Sequence, residues 1–328
     1  RDVAPSRGLG DVYKRQALNR VIARTYPCLK TDLYVGKELA RKYPDVLTKV
    51  KQLFFHKIAG FALTQSSPII IYAYTTLTIV ALYGNYMLIV MGVQTLMTAL
   101  FNSVNAGVGN LIAEGDKRKI MSVFAELFSI RFLFSCIMCF GVLLVTPSFV
   151  SFWIGKEYVM DSLSLLLMTA ILFINLSRTT VDTYINAYGL FSDIWAPVIE
   201  ASVNVGLSII LGYSFGLHGV LSGVLISLFL VVFCWKPYYL FRKGLDEPLR
   251  IYVFMYAKHL VVTLLCGVIV FLGMRYSMEK ENTTFFAGLL TTLVFSVLDT
   301  LALLFVAQGM RNLMMRFVRM CHLTIIDG

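Results

Sequence analysis

VLSGVLISLFLVV, residues 220–232, decides the fold class. A half-buried strand would alternate apolar and polar side chains, and a helix on a soluble core would keep one polar face. This run is apolar on nearly all sides, which suits hydrocarbon. Extended to about residues 218–240, it is long enough to cross a bilayer core of about 30 Å at about 1.5 Å per residue. The same reading finds about eight such segments, at roughly 57–80, 86–113, 121–145, 160–185, 194–213, 218–240, 255–275 and 284–307. Hydrophobic residues make up 58% of the 328 residues and charged residues 15%, with a mean hydropathy of +0.74, too apolar for one soluble core. A transmembrane barrel would show shorter, strictly alternating segments. The expected class is therefore an all-α polytopic membrane protein.

A formal net charge of +10 invites a nucleic-acid reading, but the position of the charge opposes it. With the first span starting inside, after Arg41, Lys42, Lys49, Lys51 and Lys57, alternation puts Lys117, Arg118, Lys119, Arg242, Lys243, Arg250, Lys258, Arg311, Arg316 and Arg319 inside. The outer connections keep only Lys156, Arg275 and Lys280. This is the positive-inside pattern, with the basic residues meeting anionic lipid. The turn from Asn186 to Asp193 is expected inside although it carries no basic residue. Cys136 and Cys139 form a C-x-x-C within an apolar helix, with no second pair and no nearby His, which reads as packing. His56, His218, His259 and His322 fall near span ends without metal-ligand spacing and are expected at the interface.

The chain does not begin with Met, and Ser6–Gln16, SRGLGDVYKRQ, resembles one reading frame of a transposon-based sequencing adapter. Residues 1–16 are therefore set aside, and a fragment lacking its natural beginning is expected. Residues 17–56 read as a cytoplasmic connector, 57–240 as six helices, 241–258 as a basic cytoplasmic link, 259–310 as two further helices and 311–328 as a cytoplasmic tail. In the first span, Thr64–Pro68 is expected to interrupt the helix at mid-depth.

Polar residues inside spans mark candidate sites. Gln94, Thr98, Asn102, Asn105 and Gly109 recur along the second span, either lining a cavity or gluing helices together. Charge in hydrocarbon is more costly, so Arg131, Arg178, Asp182 and Glu200, at comparable depths, should face protein or water. Asp182 lies one turn from Arg178, while Asn204 and Ser208 continue the face of Glu200. Asp182 and Glu200 read either as a structural ion-pair network or as a proton or cation site, and Asp299 in the last span is open to both. Gly219 and Gly223 form a G-x-x-x-G, a sign of close helix packing.

Several stretches together resemble one family: KVKQLFFHKIAGF, YGNYMLIVMGV, NSVNAGVGNLIAEGDKRK, PSFVSFWIGKEYVM and AYGLFSDIWAPVIEASVNVGLSIIL. These are similar to bacterial polysaccharide and O-antigen flippases of the multidrug/oligosaccharidyl-lipid/polysaccharide exporter superfamily. The resemblance covers nearly everything after residue 17. It implies a two-lobe transporter, of which this chain would be the second six-helix lobe plus two extra helices, in the bacterial cytoplasmic membrane. The implied cargo is an undecaprenyl-pyrophosphate-linked oligosaccharide, moved by alternating access, with membrane lipids and a monovalent cation or proton as further partners and no cofactor. Gln94, Asn102 and Asn105 would then suit sugar hydroxyls. Arg131 and Arg178 would suit phosphates, a role that no motif of the family assigns to them. A multidrug or cation antiporter of the same fold is the alternative, though it would be expected to present acids and aromatics rather than two arginines. An enzyme is not expected, because the longest external link, about Pro147–Tyr158, offers only Lys156 and Glu157 and no His. No phosphate-binding G-x-x-x-x-G-K-[ST] is present, so an ion gradient or the membrane potential would supply the energy.

Overall fold

The computed structural model describes residues 33–193, 195–277 and 285–326, with 16, 18–21 and 24–25 besides. Expectations for residues 1–15, for Cys28 and Lys280, and for the side chains of Lys49, His56, Thr64, Gln65, Arg275, Cys321 and His322 lie outside the described residues. The chain divides into two compact units, Arg1–Gln52 and Leu53–Gly328. The described residues form helices α1 (Leu33–Lys42), α2 (Pro44–Tyr74), α3 (Leu77–Glu114), α4 (Lys117–Trp153), α5 (Ser162–Ser177), α6 (Thr179–Ala187), α7 (Trp195–Leu228), α8 (Lys236–Leu240), α9 (Leu249–Ser277), α10 (Phe285–Val306) and α11 (Gln308–Ile326). No strand occurs among the described residues, and six helical segments there are long and apolar enough to cross a membrane. The protein is an all-α polytopic membrane protein.

Several boundaries differ from expectation, each for a local reason. α3 has 38 residues, about 57 Å at 1.5 Å per residue, so its ends stay helical beyond the hydrocarbon. It starts at Leu77, within the first expected span, because Thr76 caps it by accepting from Ile79 N at 3.4 Å. Pro68 lies inside a continuous α2 rather than breaking it, as transmembrane helices tolerate. The fourth span, by contrast, divides at Arg178 into α5 and α6. The expected link 241–258 is nearly absent. π turns at Phe229–Trp235 and Phe241–Leu245 carry the helix to Asp246, whose left-handed φ of 56° turns the chain into α9.

The segment Trp195–Leu245 contains two spans, because Gly216 (φ 56°, ψ −129°) reverses the chain inside α7. The two arms then run back along each other. Asn204 Nδ2 donates to Ser227 Oγ at 3.1 Å, and Ser208 Oγ donates to the Val220 carbonyl at 3.3 Å. A Cβ on Gly219 would lie 2.0 Å from the Leu211 carbonyl oxygen, and one on Gly223 would lie 2.6 Å from Ser208 N. The G-x-x-x-G is the contact that brings the arms together.

α4 is the pivot of the bundle, packing on α5 as well as on α9, α10 and α11. Phe124, Phe128 and Phe132 repeat every four residues along it and meet Tyr184, Phe241, Tyr252 and Tyr256. Phe124–Tyr184 at 5.0 Å and Phe132–Tyr256 at 5.3 Å are edge-to-face pairs that fix α4 against α6 and α9. Cys136 and Cys139 are buried free thiols in this packing. Lys117 pairs with Asp246 at 2.9 Å, in two connections expected inside, while His218 meets Asp161 at 2.8 Å, at two span ends expected outside. Tyr86 Oη, near the start of the second expected span, accepts from Met160 N at 2.9 Å.

Candidate functional site

Seven helical arms, from α2 to both halves of α7, enclose a cavity of about 590 Å3. That volume is within the range of small-ligand sites. On α3 it is lined by Tyr83, Met87, Val90, Gln94, Met97, Thr98, Phe101 and Asn105, a run of three- and four-residue steps down one helix face. Asn102 departs from the sequence expectation. At about 100° per residue it sits roughly 80–90° off that line, and it joins Met91, Thr95 and Ala99 in an adjoining recess that shares Gln94 and Thr98 with the cavity.

Arg131 of α4 lines this cavity and is only 2% exposed. One terminal nitrogen donates to the Thr179 carbonyl at 2.9 Å and to Thr183 Oγ1 at 2.8 Å. The other donates to Asn105 Oδ1 at 3.3 Å, and the guanidinium stands over the Phe101 ring at 5.1 Å. Its Nε is buried without a partner. Among the described residues, no carboxylate lies within ion-pair distance of Arg131. Burying an unpaired charge costs several kcal/mol, and here neutral acceptors drawn from α3 and α6 hold the cation.

Arg178 is in a different state. Its Nε meets Asp182 Oδ2 at 3.2 Å, and Lys236 Nζ donates to Asp182 Oδ1 at 3.0 Å. Asp182 therefore ties α6 to α8 through two ion pairs while also lining the cavity. Glu200 is 4% exposed on the cavity wall and, among the described residues, makes no hydrogen bond or ion pair. The charges acting on it are those of Arg178, Lys236 and Asp182. One turn on, Asn204 spends its amide nitrogen on Ser227 and leaves a buried Oδ1 without a donor.

Asp299 stands apart from the cavity. It is fully buried between α9 and α10, where Thr263 Oγ1 lies 2.9 and 3.2 Å from its two oxygens. His259 departs from the expected interfacial position: it is 2% exposed, with Nε2 2.9 Å from Ser129 Oγ. Packing of α9 against α4 draws it inward.

The structure thus brings Gln94, Asn105, Arg131, Arg178, Asp182 and Glu200 together and leaves Asn102 and Asp299 outside. Asn175, Thr179 and Thr183 also line the cavity and were missed, although their four-residue spacing forms a polar line through the fourth span. Lys236 was missed too, although a lysine inside the sixth expected span carries the same signal as Arg131. Such a wall can hold an anion and several hydroxyls at once. Among the described residues, no group of three His, Cys, Asp or Glu could hold a metal ion. Comparison with protein-family models, curated proteins and solved structures finds no match to this chain.

Proposed function

We propose that this protein moves an anionic, lipid-linked oligosaccharide across the bacterial cytoplasmic membrane, the undecaprenyl-pyrophosphate-linked cargo that the family resemblance implies. The observation that carries the reading is Arg131, a buried guanidinium in a cavity wall with, among the described residues, no carboxylate beside it and no acceptor for its Nε. Arginine recognises phosphate through paired N–H donors, and the bond strengthens in a site of low dielectric. Gln94, Thr98, Asn105 and Asn175 supply donors and acceptors for sugar hydroxyls from the same wall. Glu200 and the free Oδ1 of Asn204 offer oxygens to a proton or monovalent cation that would drive the cycle. A cation or multidrug antiporter is the second reading, and Glu200, an acid in the cavity without a donor among the described residues, is what favours it.

The test is export of the glycan by an intact protein carrying this sequence, with Arg131→Ala. Export should be lost while insertion into the membrane is kept. Normal export would remove Arg131 from the mechanism, and undiminished cation efflux by the variant would move the assignment to the second reading.

A further inference from the structure

A second cavity, of about 630 Å3, lies between α4, α9 and α11 and shares no lining residue with the Arg131 cavity. Its polar wall carries Lys117, Arg118 and Lys258, opposed by Glu247. Lys117 is already engaged by Asp246 at 2.9 Å. Among the described residues, neither Arg118 nor Lys258 has a carboxylate within ion-pair distance, and both are exposed. On the same face of α9 as Lys258 the lining is apolar and open, with Ile251 38% and Phe254 72% exposed. The floor is kept shallow by Gly309, where a Cβ would come within 2.3 Å of the Ala125 carbonyl oxygen, so α11 lies directly on α4.

Two free cations above an apolar wall, at the end of the bundle that gathers the basic residues, match one kind of molecule. We propose that this cavity binds an anionic phospholipid, with its phosphate between Arg118 and Lys258 and one acyl chain along Ile251 and Phe254. Basic pockets between transmembrane helices are suited to such headgroups. A free phosphate would satisfy the cations and leave the apolar wall bare, so the occupant is the lipid. The site is independent of the cargo and would set how α9 and α11 rest against α4 in the bilayer.

Native mass spectrometry of the detergent-purified full chain tests this, with phosphatidylglycerol, phosphatidylcholine or inorganic phosphate added. The wild-type chain should retain phosphatidylglycerol in preference to phosphatidylcholine, and inorganic phosphate at equal concentration should not displace it. Each cation near an anionic headgroup is worth about fivefold in affinity, so the Arg118→Gln/Lys258→Gln variant should bind phosphatidylglycerol about thirtyfold more weakly and phosphatidylcholine unchanged. Equal retention of the two lipids, displacement by phosphate, or an unaltered double variant would overturn the proposal. If the double variant does not fold, wild-type retention at low and high salt decides. Loss of phosphatidylglycerol alone at high salt supports the site, and salt-independent retention refutes it.

Discussion

Replacing Asp182 with Asn leaves Arg178 and Lys236 facing each other across the position where their shared carboxylate stood. The three side chains are 22–30% exposed, so they are mostly but not wholly withdrawn from water. Removing one partner of a fully buried pair costs about 3–5 kcal/mol; solvent reaching this cluster reduces the expected loss to about 2–3 kcal/mol. Most of that cost is the uncompensated positive charge rather than the lost contact, so a second substitution should recover part of it. Asp182→Asn/Lys236→Met is expected to be more stable than Asp182→Asn alone, with a coupling energy of about 1–2 kcal/mol in the double-mutant cycle. Thermal unfolding in detergent micelles, with all four proteins in the same buffer, measures this. The single variant should also free Arg178 toward the cavity and tighten binding of an anionic probe. An Asp182→Asn protein within about 0.5 kcal/mol of wild type, or a cycle with no coupling, would refute the assignment of Asp182 as the tie between α6 and α8.

Three further outcomes follow from other parts of the structure. Gly219→Ala must push its Cβ away from the Leu211 carbonyl and should lower stability by about 1–3 kcal/mol, whereas Gly107→Ala, with nothing within 4 Å, should be neutral or stabilising; equal effects in unfolding experiments would contradict the close hairpin. At the outer end, burial alone would raise the Asp161 carboxyl, but hydrogen bonds from His218 and Ser164 outweigh it and hold the group at about 2, below its ordinary 3.8. A depressed carboxylate stabilises the fold above the higher value and loses that contribution as pH falls through the lower. A drop in unfolding midpoint between pH 4 and pH 2 should therefore be smaller in Asp161→Asn, and identical profiles would refute the pairing. Asp299→Asn, which keeps an oxygen for Thr263 and lies outside the cavity, should leave glycan export intact; loss of export would bring α9 and α10 into the mechanism.

The fold class was legible because hydrocarbon leaves a strong signature, and runs such as residues 220–232 carry it. Helix ends were less legible. The ends of α3 and α4 pass into water as helix, where hydropathy falls but hydrogen bonding along the backbone does not change. The link expected at 241–258 failed for a related reason: Phe241, Leu245 and Tyr252 are buried against α4, and packing of these side chains draws the charged stretch into π turns and helix. At the site, the cost of burying charge pointed to Arg131, Arg178, Asp182 and Glu200, all of which reach one cavity. The state of each residue was not readable from spacing alone. Arg178 finds Asp182 one turn away on its own chain segment, while the neutral partners of Arg131 depend on how α3, α4 and α6 come together. Asn102 shows the limit of a stripe drawn by eye, since a second step of four from Thr98, where the wall steps three to Phe101, turns a residue out of the wall.

Equilibrium binding tests whether Arg131 holds an anion in the cavity. Farnesyl pyrophosphate, a short prenyl pyrophosphate, would be titrated into the purified intact protein and into Arg131→Met, which keeps an unbranched apolar stem and removes the charge and donors. One hydrogen bond to a charged group contributes about 1.5–3 kcal/mol, so binding should be about 10- to 150-fold weaker in the variant. Equal affinity in the two proteins would contradict it.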